Sequence, residues 1–258
     1  MIIMQRRSFL LHFGAAGVFV WRMAIPCAAA SVGSSPIPVR ELLGLDRPPS
    51  LTGKGFRLRR EAAEAFSQMQ ADARREKLEL YSQSSYRSFT HQAKIWNQKV
   101  RRLARTESSL ARIVSSILLY SSLPGTSRHH WGTDLDLVDH SQPISGDPLL
   151  ASHFAPGGSY HRLYAWLQSH ASRYGFYEVY TQQPNRPGFS YEPWHWSFAP
   201  LSIPLLQQFC SLSLETQFPK DHLLGAEVFT PEFFRRFIQQ WMLGINPALV
   251  PPSLHSPE

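Results

Sequence analysis

The amino-acid sequence predicts an α+β domain of helices packed on a small, mainly antiparallel sheet, and two patterns predict it. Runs of strong helix formers carry apolar residues three and four apart, while shorter segments alternate apolar and polar residues. The two kinds are interleaved and set off by glycine and proline, so helices must cover a sheet rather than form a bundle. With 258 residues, 43% of them hydrophobic, the chain can bury one core of ordinary domain size, and nothing demands a second domain.

Residues 1–30 read as an export leader. Arg6 and Arg7 precede Phe9, Leu10 and Leu11, an apolar stretch covers residues 13–21, and Ala28-Ala29-Ala30 offers a small-residue cleavage site. The segment resembles a twin-arginine export signal, and the mature chain would begin near Ser31. The apolar run is too short to span a bilayer stably, so no membrane span is expected after cleavage, a membrane anchor being the competing reading. Cys27 follows Ala24-Ile25-Pro26, a poor lipobox, which argues against lipidation. Cleavage would leave Cys210 without an internal disulfide partner, and its apolar neighbourhood makes it a candidate buried small hydrophobe.

Residues 31–55 hold Pro36, Pro38, Pro48, Pro49, Gly33, Gly44, Gly53 and Gly55, a density that predicts a connecting arm with the domain starting near Phe56. Residues 59–77 form a helix with Ala62, Phe66, Met69 and Ala73 on one stripe, followed by a strand over residues 78–85. Thr90 caps a helix running to about residue 105. A further helix over residues 107–120 turns Leu110, Val114, Ile117 and Leu118 inward until Pro124-Gly125 ends it.

The next strand holds Asp134, Asp136 and Val138, and its two carboxylates face the same way. A helix over residues 159–173 buries Leu163, Trp166 and Leu167 and stops at Gly175. Strands over residues 176–180 and 194–198 follow, and antiparallel pairing would bring His195 beside the strand of Asp136. Residues 201–258 add helices over 203–213 and 231–242 and a proline-rich tail expected to fray.

The net charge is +7, or about +4 once Arg6, Arg7 and Arg22 leave with the leader. No Lys/Arg run or aromatic RNA-binding signature accompanies this excess, so nucleic acid is not an expected partner. The informative chemistry is a set of four side chains. His129, Asp136 and His195 supply the nitrogen and oxygen donors that a catalytic zinc takes from a protein, and Glu192 is a spare acid for moving protons. Asp134 competes with Asp136 for the carboxylate position, and His130 is read as packing.

Three motifs, Ser84-x-Tyr86-Arg87-Ser88 with Gln92, Pro124-Gly125-Thr126-Ser127-x-His129-x-x-Gly132 ending in Asp136, and Glu192-x-x-His195, resemble those of VanY-type D-alanyl-D-alanine carboxypeptidases over residues 56–200. The resemblance implies a hedgehog/DD-peptidase-like fold, Zn2+ held by His129, Asp136 and His195, and Glu192 as general base. It further implies Arg87 at the substrate carboxylate or oxyanion and Ser127 in contact with substrate. Tyr86 and Gln92 either support Arg87 or touch substrate, and Trp194 is a candidate cleft wall. One departure stands out, because position 134 is a small apolar residue in many relatives and an aspartate here.

The expected activity is hydrolysis of the terminal D-Ala-D-Ala bond of peptidoglycan stem peptides, in the periplasm or against the cell wall. Two alternatives remain: an endopeptidase cutting within the stem, as at L-Ala-D-Glu, and a hedgehog-like zinc module without catalysis. The sequence carries no signature of oligomeric state. Fused to a reporter, residues 1–30 should direct it out of the cytoplasm, and cell fractionation that finds the fusion in the cytoplasm contradicts the export reading.

Overall fold

The computed structural model describes residues 36–254. The leader read over residues 1–30 lies outside them. Helix α1 (Val39–Leu42) leads into a two-stranded antiparallel hairpin, β1 (Leu51–Thr52) with β2 (Leu58–Arg59), and then into α2 (Arg60–Arg75). Strand β3 (Leu80–Ser84), helices α3 (Phe89–Leu103) and α4 (Leu110–Leu118), and strand β4 (Asp134–Asp139) follow. After α5 (Ala151–Phe154) and α6 (His161–His170) come β5 (Phe176–Tyr180) and β6 (Glu192–Phe198), then α7 (Ala199–Cys210), α8 (Leu214–Gln217) and α9 (Pro231–Phe237). The main sheet has the order β3-β4-β6-β5, every neighbouring pair antiparallel, so the predicted α+β architecture holds. Among the described residues no helix is long and apolar enough to cross a membrane.

The two faces of the sheet have different chemistry because side chains alternate along a strand. Leu135 and Leu137 of β4, with Phe176 and Trp196, pack against the Ala62, Phe66, Met69 and Ala73 stripe of α2 and against Leu163 and Leu167 of α6. Phe66 is fully buried and meets Phe56 edge-on at 4.9 Å between ring centroids. Asp134 and Asp136 occupy the opposite face, yet all six residues of β4 are buried. A second apolar cluster gathers Trp96 of α3, Ile113 and Val114 of α4, Leu206 and Phe209 of α7, and Phe234 and Phe237 of α9.

Several boundaries differ from expectation. Part of the stretch read as a connecting arm belongs to the core, since Leu42 and Leu43 are buried and the Leu42 carbonyl accepts from the Trp131 indole at 3.1 Å. Glu41 pairs with Arg59 at 2.5 Å. Prolines and glycines break regular structure there without preventing burial. Gly44 has φ of +71°, and a Cβ on it would lie 2.4 Å from Cγ of His130, so the chain needs glycine to pass over that ring.

Ser88 rather than Thr90 caps α3, its hydroxyl accepting from the His91 N–H at 3.2 Å. Ile113 takes the buried place expected of Leu110, which starts α4 and is 37% exposed. Cys210, at the end of α7, is half-buried rather than enclosed, and burial still pushes its thiol up to about 12.

As far as residue 254 the carboxy-terminal stretch packs instead of fraying: Leu249 is fully buried in the second apolar cluster, and residues 255–258 lie outside the described residues. Asn246 donates from its backbone N–H to the Val179 carbonyl at 2.9 Å and from its side chain to the Glu178 carbonyl at 2.9 Å.

Glu178 of β5 is a buried carboxyl on the helix-covered face, accepting from Gln168 at 2.6 Å and Tyr164 at 3.2 Å. Burial pushes it up to about 7, against the smaller opposing effect of these hydrogen bonds. The folded state therefore holds a proton that the unfolded state releases near pH 4.5, so this group's contribution to stability falls as pH rises through 4.5–7. Thermal melts of Glu178→Gln against wild type should show the variant gaining relative stability between pH 5 and pH 8, on the order of 1–3 kcal/mol. A constant difference across that range contradicts the assignment.

Candidate metal centre

Three separated side chains converge on the polar face of the sheet. His129 sits in the single turn Arg128–Trp131, Asp136 is in β4, and His195 is in β6 directly opposite Asp136 in the antiparallel register. Gly132, with φ of +68°, reverses the chain from the turn into β4, and a Cβ there would lie 2.7 Å from Leu51. Nε2 of His129 is 3.4 Å from Oδ2 of Asp136, Nδ1 of His195 is 3.7 Å from Oδ1 of the same carboxylate, and all three donors lie within 4.8 Å of one another. Donors of a tetrahedral zinc with bonds of 2.0–2.2 Å stand about 3.4 Å apart; the two histidine–carboxylate separations are close to that spacing, and the widest separation in the set would have to contract for zinc to bind.

Hydrogen bonds behind the ligands aim them. Nδ1 of His129 lies 2.8 Å from the Ser85 carbonyl, which can only accept, so Nδ1 carries the hydrogen and Nε2 presents its lone pair to the cluster. Nε2 of His195 lies 3.1 Å from Oδ2 of Asp134, which leaves Nδ1 facing Asp136 and, at 3.2 Å, Oε2 of Glu192. His130, fully buried, donates from Nδ1 to the Arg87 carbonyl and accepts from the Gly125 N–H at 3.1 Å. Burial lowers it to about 3, so it is a neutral strut between two loops.

The electrostatics suit a cation. Burial opposes ionisation of Asp136, but His129, His195 and Arg87 outweigh it and hold the carboxyl at about 2. Burial holds His129 below its ordinary value, in the neutral form that ligates metal. Burial acts the same way on His195, but its hydrogen bonds to Asp134 and Glu192 prevail and raise it to about 9 without a metal.

The ambiguity between the two aspartates resolves on contacts. Asp134 is fully buried with both oxygens occupied, Oδ2 by Arg128 Nε at 2.8 Å and His195 Nε2, and Oδ1 by the Thr133 and Ser197 hydroxyls at 2.6 and 2.8 Å. Asp136 is the carboxylate that joins the two histidines.

The cluster opens on a cleft of about 510 Å³, whose walls include Arg87, Glu192 and Trp194. Gln92 accepts from Arg87 Nη1 at 2.8 Å and Ser84 from Nη2 at 2.7 Å. Gln92 is fully buried and donates to the Ser122 carbonyl at 2.8 Å, so it props Arg87. Gln92, Tyr86 and Ser127, all candidate substrate contacts, do not line the cleft. Tyr86 is half-buried near Glu41, Asp46 and Arg47, and Ser127, which leads into the His129 turn, is buried with no hydrogen-bond partner for its hydroxyl among the described residues.

Sequence reasoning missed Lys99, which lies two turns along α3 from Gln92 and joins Arg87 in the cleft wall. Burial pulls it below the usual lysine value, with Arg102 and Arg87 acting in the same direction and the Glu192 carboxylate opposing. It also missed Arg128 and Tyr180, whose ring stands edge-on to His195 at 5.0 Å.

A family model described as VanY, D-alanyl-D-alanine carboxypeptidase, matches residues 55–201, more than half of the chain. The chain belongs to the VanY family. A putative carboxypeptidase of Bacillus subtilis, YodJ, is 28% identical over 164 residues, covering 63% of this chain and 54% of its own, so the chain spans about half of that relative. An uncharacterised protein of Haemophilus influenzae is 28% identical over 107 residues, covering 41% of this chain and 82% of its own.

Similar solved structures include a mutant of the vancomycin resistance D,D-pentapeptidase VanY in complex with Zn(II), 21% identical with a TM-score of 0.49, covering 70% of this chain and 93% of that one. The LdcB LD-carboxypeptidase is 25% identical with a TM-score of 0.49, covering 68% and 79%. The VanY match takes in Arg87, His129, Asp136, Glu192 and His195 and ends as α7 begins, leaving α8 and α9 outside the family region.

Purified protein dialysed against Zn2+ should retain it close to stoichiometrically, whereas His195→Ala should retain little while keeping the wild-type circular dichroism spectrum. Equal metal content in the two proteins contradicts the ligand assignment.

Proposed function

We propose that the protein is an exported zinc-dependent carboxypeptidase that removes the terminal D-alanine from D-Ala-D-Ala-ended peptidoglycan stem peptides. The observation that carries this reading is the buried cluster of His129, Asp136 and His195 with Glu192 beside it, open to a cleft whose wall bears Arg87 and Lys99. Membership of the VanY family supports the reaction class. The leader over residues 1–30 supports export, and the polymer substrate lies outside the cytoplasm.

His129, Asp136 and His195 would hold the metal. When bound, zinc supplies a Lewis acid for the scissile carbonyl and lowers the pKa of a coordinated water to about 7. Glu192 accepts a proton from the attacking water and returns it to the amine of the departing D-alanine, so the amide C–N bond breaks as a C–O bond forms. Pro193 limits backbone freedom beside Glu192, and Tyr180 pairs with Glu192 across the β5–β6 ladder, which together keep the carboxylate near the ligands.

Arg87 offers a guanidinium already oriented by Gln92 and Ser84, suited to gripping the free carboxylate at the substrate's end. Lys99 adds a second positive charge to the same wall. A cation near a terminal carboxylate favours removal of one residue over cleavage deep within a chain.

Glu192→Gln should keep fold and metal content and lower turnover on a D-Ala-D-Ala-ended pentapeptide by on the order of a hundredfold or more. Mass spectrometry of the wild-type products should show loss of a single alanine. Release of a longer fragment supports an endopeptidase instead, cleavage only of a peptide already lacking the last D-alanine supports an L,D-carboxypeptidase, and wild-type turnover in the variant removes Glu192 from the mechanism.

A further inference from the structure

We infer that Asp134 and Arg128 form a positioning clamp that holds the His195 ring with Nε2–H turned away from the metal cluster and Nδ1 turned towards it. The inference rests on the reading of His129, Asp136 and His195 as a metal site, and concerns two residues that are not ligands.

The clamp is a four-residue network at the base of the cleft. Asp134 lies opposite Ser197 in the β4–β6 ladder, one pleat from the Asp136–His195 pair, so all four side chains share the polar face of the sheet. Oδ2 of Asp134 accepts from both Arg128 Nε at 2.8 Å and His195 Nε2 at 3.1 Å. Ser197 links the far sides of the ion pair, accepting from Arg128 Nη2 at 2.7 Å and donating to Asp134 Oδ1 at 2.8 Å. Arg128 also lies over the Trp131 ring, 5.0 Å from its centroid. Asp134 is fully buried and Arg128 only 3% exposed, so neither charge is solvated by water.

Stability does not account for this arrangement. Burying an ion pair costs desolvation that its Coulomb attraction often fails to recover, and apolar replacements of similar volume are commonly neutral or stabilising. Here the cost is visible, because Arg128 Nη1 is buried without a hydrogen-bond partner among the described residues. What the pair provides is a fixed acceptor for the His195 Nε2–H.

An imidazole can present either nitrogen, and the atom on its far side decides which. With an apolar residue at position 134, nothing in this network would accept from Nε2, and His195 could turn over or shift its hydrogen to Nδ1. Asp134 removes both choices, and Arg128 keeps Asp134 ionised and in place. A carboxylate behind a ligand histidine also raises the basicity of the ligating nitrogen, and loss of such partners typically weakens metal binding 10- to 100-fold.

The test compares wild type, the charge-neutral double variant Arg128→Met/Asp134→Ala, and Asp134→Asn, whose amide oxygen can still accept from Nε2–H. Zinc affinity is measured by competition with a chromophoric chelator, and the His195 ring by 15N NMR of the zinc-loaded protein. The double variant should bind zinc 10- to 100-fold more weakly, with Asp134→Asn restoring part of the loss. Wild type should show metal at Nδ1 and a hydrogen-bonded proton at Nε2. Metal found at Nε2 of wild-type His195 overturns the inference without recourse to any variant, and unchanged affinity in a folded double variant does so too. Failure of the wild-type chain to bind zinc at all would instead overturn the metal-site reading on which the inference rests.

Discussion

The antiparallel register of β4 against β6 is the constraint on which the site depends. It sets Asp136 opposite His195 and Asp134 opposite Ser197. A slip of one residue would turn Asp134 and Asp136 into the apolar face and Leu135 and Leu137 into the cleft. That face is packed by α2 and α6, so the fold enforces the register through hydrophobic burial rather than through the site itself. Chemistry on one side of the sheet is thus positioned by oil on the other.

Burying this many polar groups requires a partner for nearly every one. Ser85 and Arg87 carbonyls fix His129 and His130, Gln92 and Ser84 fix Arg87, and Asp134 fixes His195. The bulge in β3 between Ser82 and Ser84 contributes directly. It shifts Ser84 from the register of Ser82, which faces Leu137, to a position facing Asp136, where its hydroxyl reaches Arg87. The His129 turn, the β3 end and the first residues of α3 therefore form one hydrogen-bonded frame around the cluster.

Much of this was legible in the chain. Period-two alternation marks the strands that carry Asp136 and His195, and the resemblance of three motifs to those of VanY-type carboxypeptidases implies that Arg87, Glu192 and the two histidines belong to one site. What escaped notice is tertiary. Proline and glycine density over residues 31–55 reports where regular backbone breaks and says nothing about whether Leu42 and Leu43 find a core, so it predicts a connecting arm where the chain in fact buries them.

Lys99 escaped because a lysine on a helix is ordinarily solvated, and only the packing of α3 against the cleft places it in the wall. Arg128 had no local signal at all, its meaning depending on an aspartate that turns to face it only after the chain reverses at Gly132. Choosing between Asp134 and Asp136 needed the same information, since strand alternation treats the two alike.

The hydrogen bonds that Asn246 makes to the Glu178 and Val179 carbonyls have a consequence beyond local packing. Strand β5 ends the main sheet, and a terminal strand with open carbonyls invites another polypeptide to continue the ladder. By draping its own last segment across that margin, the chain occupies the seam where a stranger could graft on. The stretch lying past the family region thereby serves as a selvedge, the finished border that stops a woven sheet from extending itself.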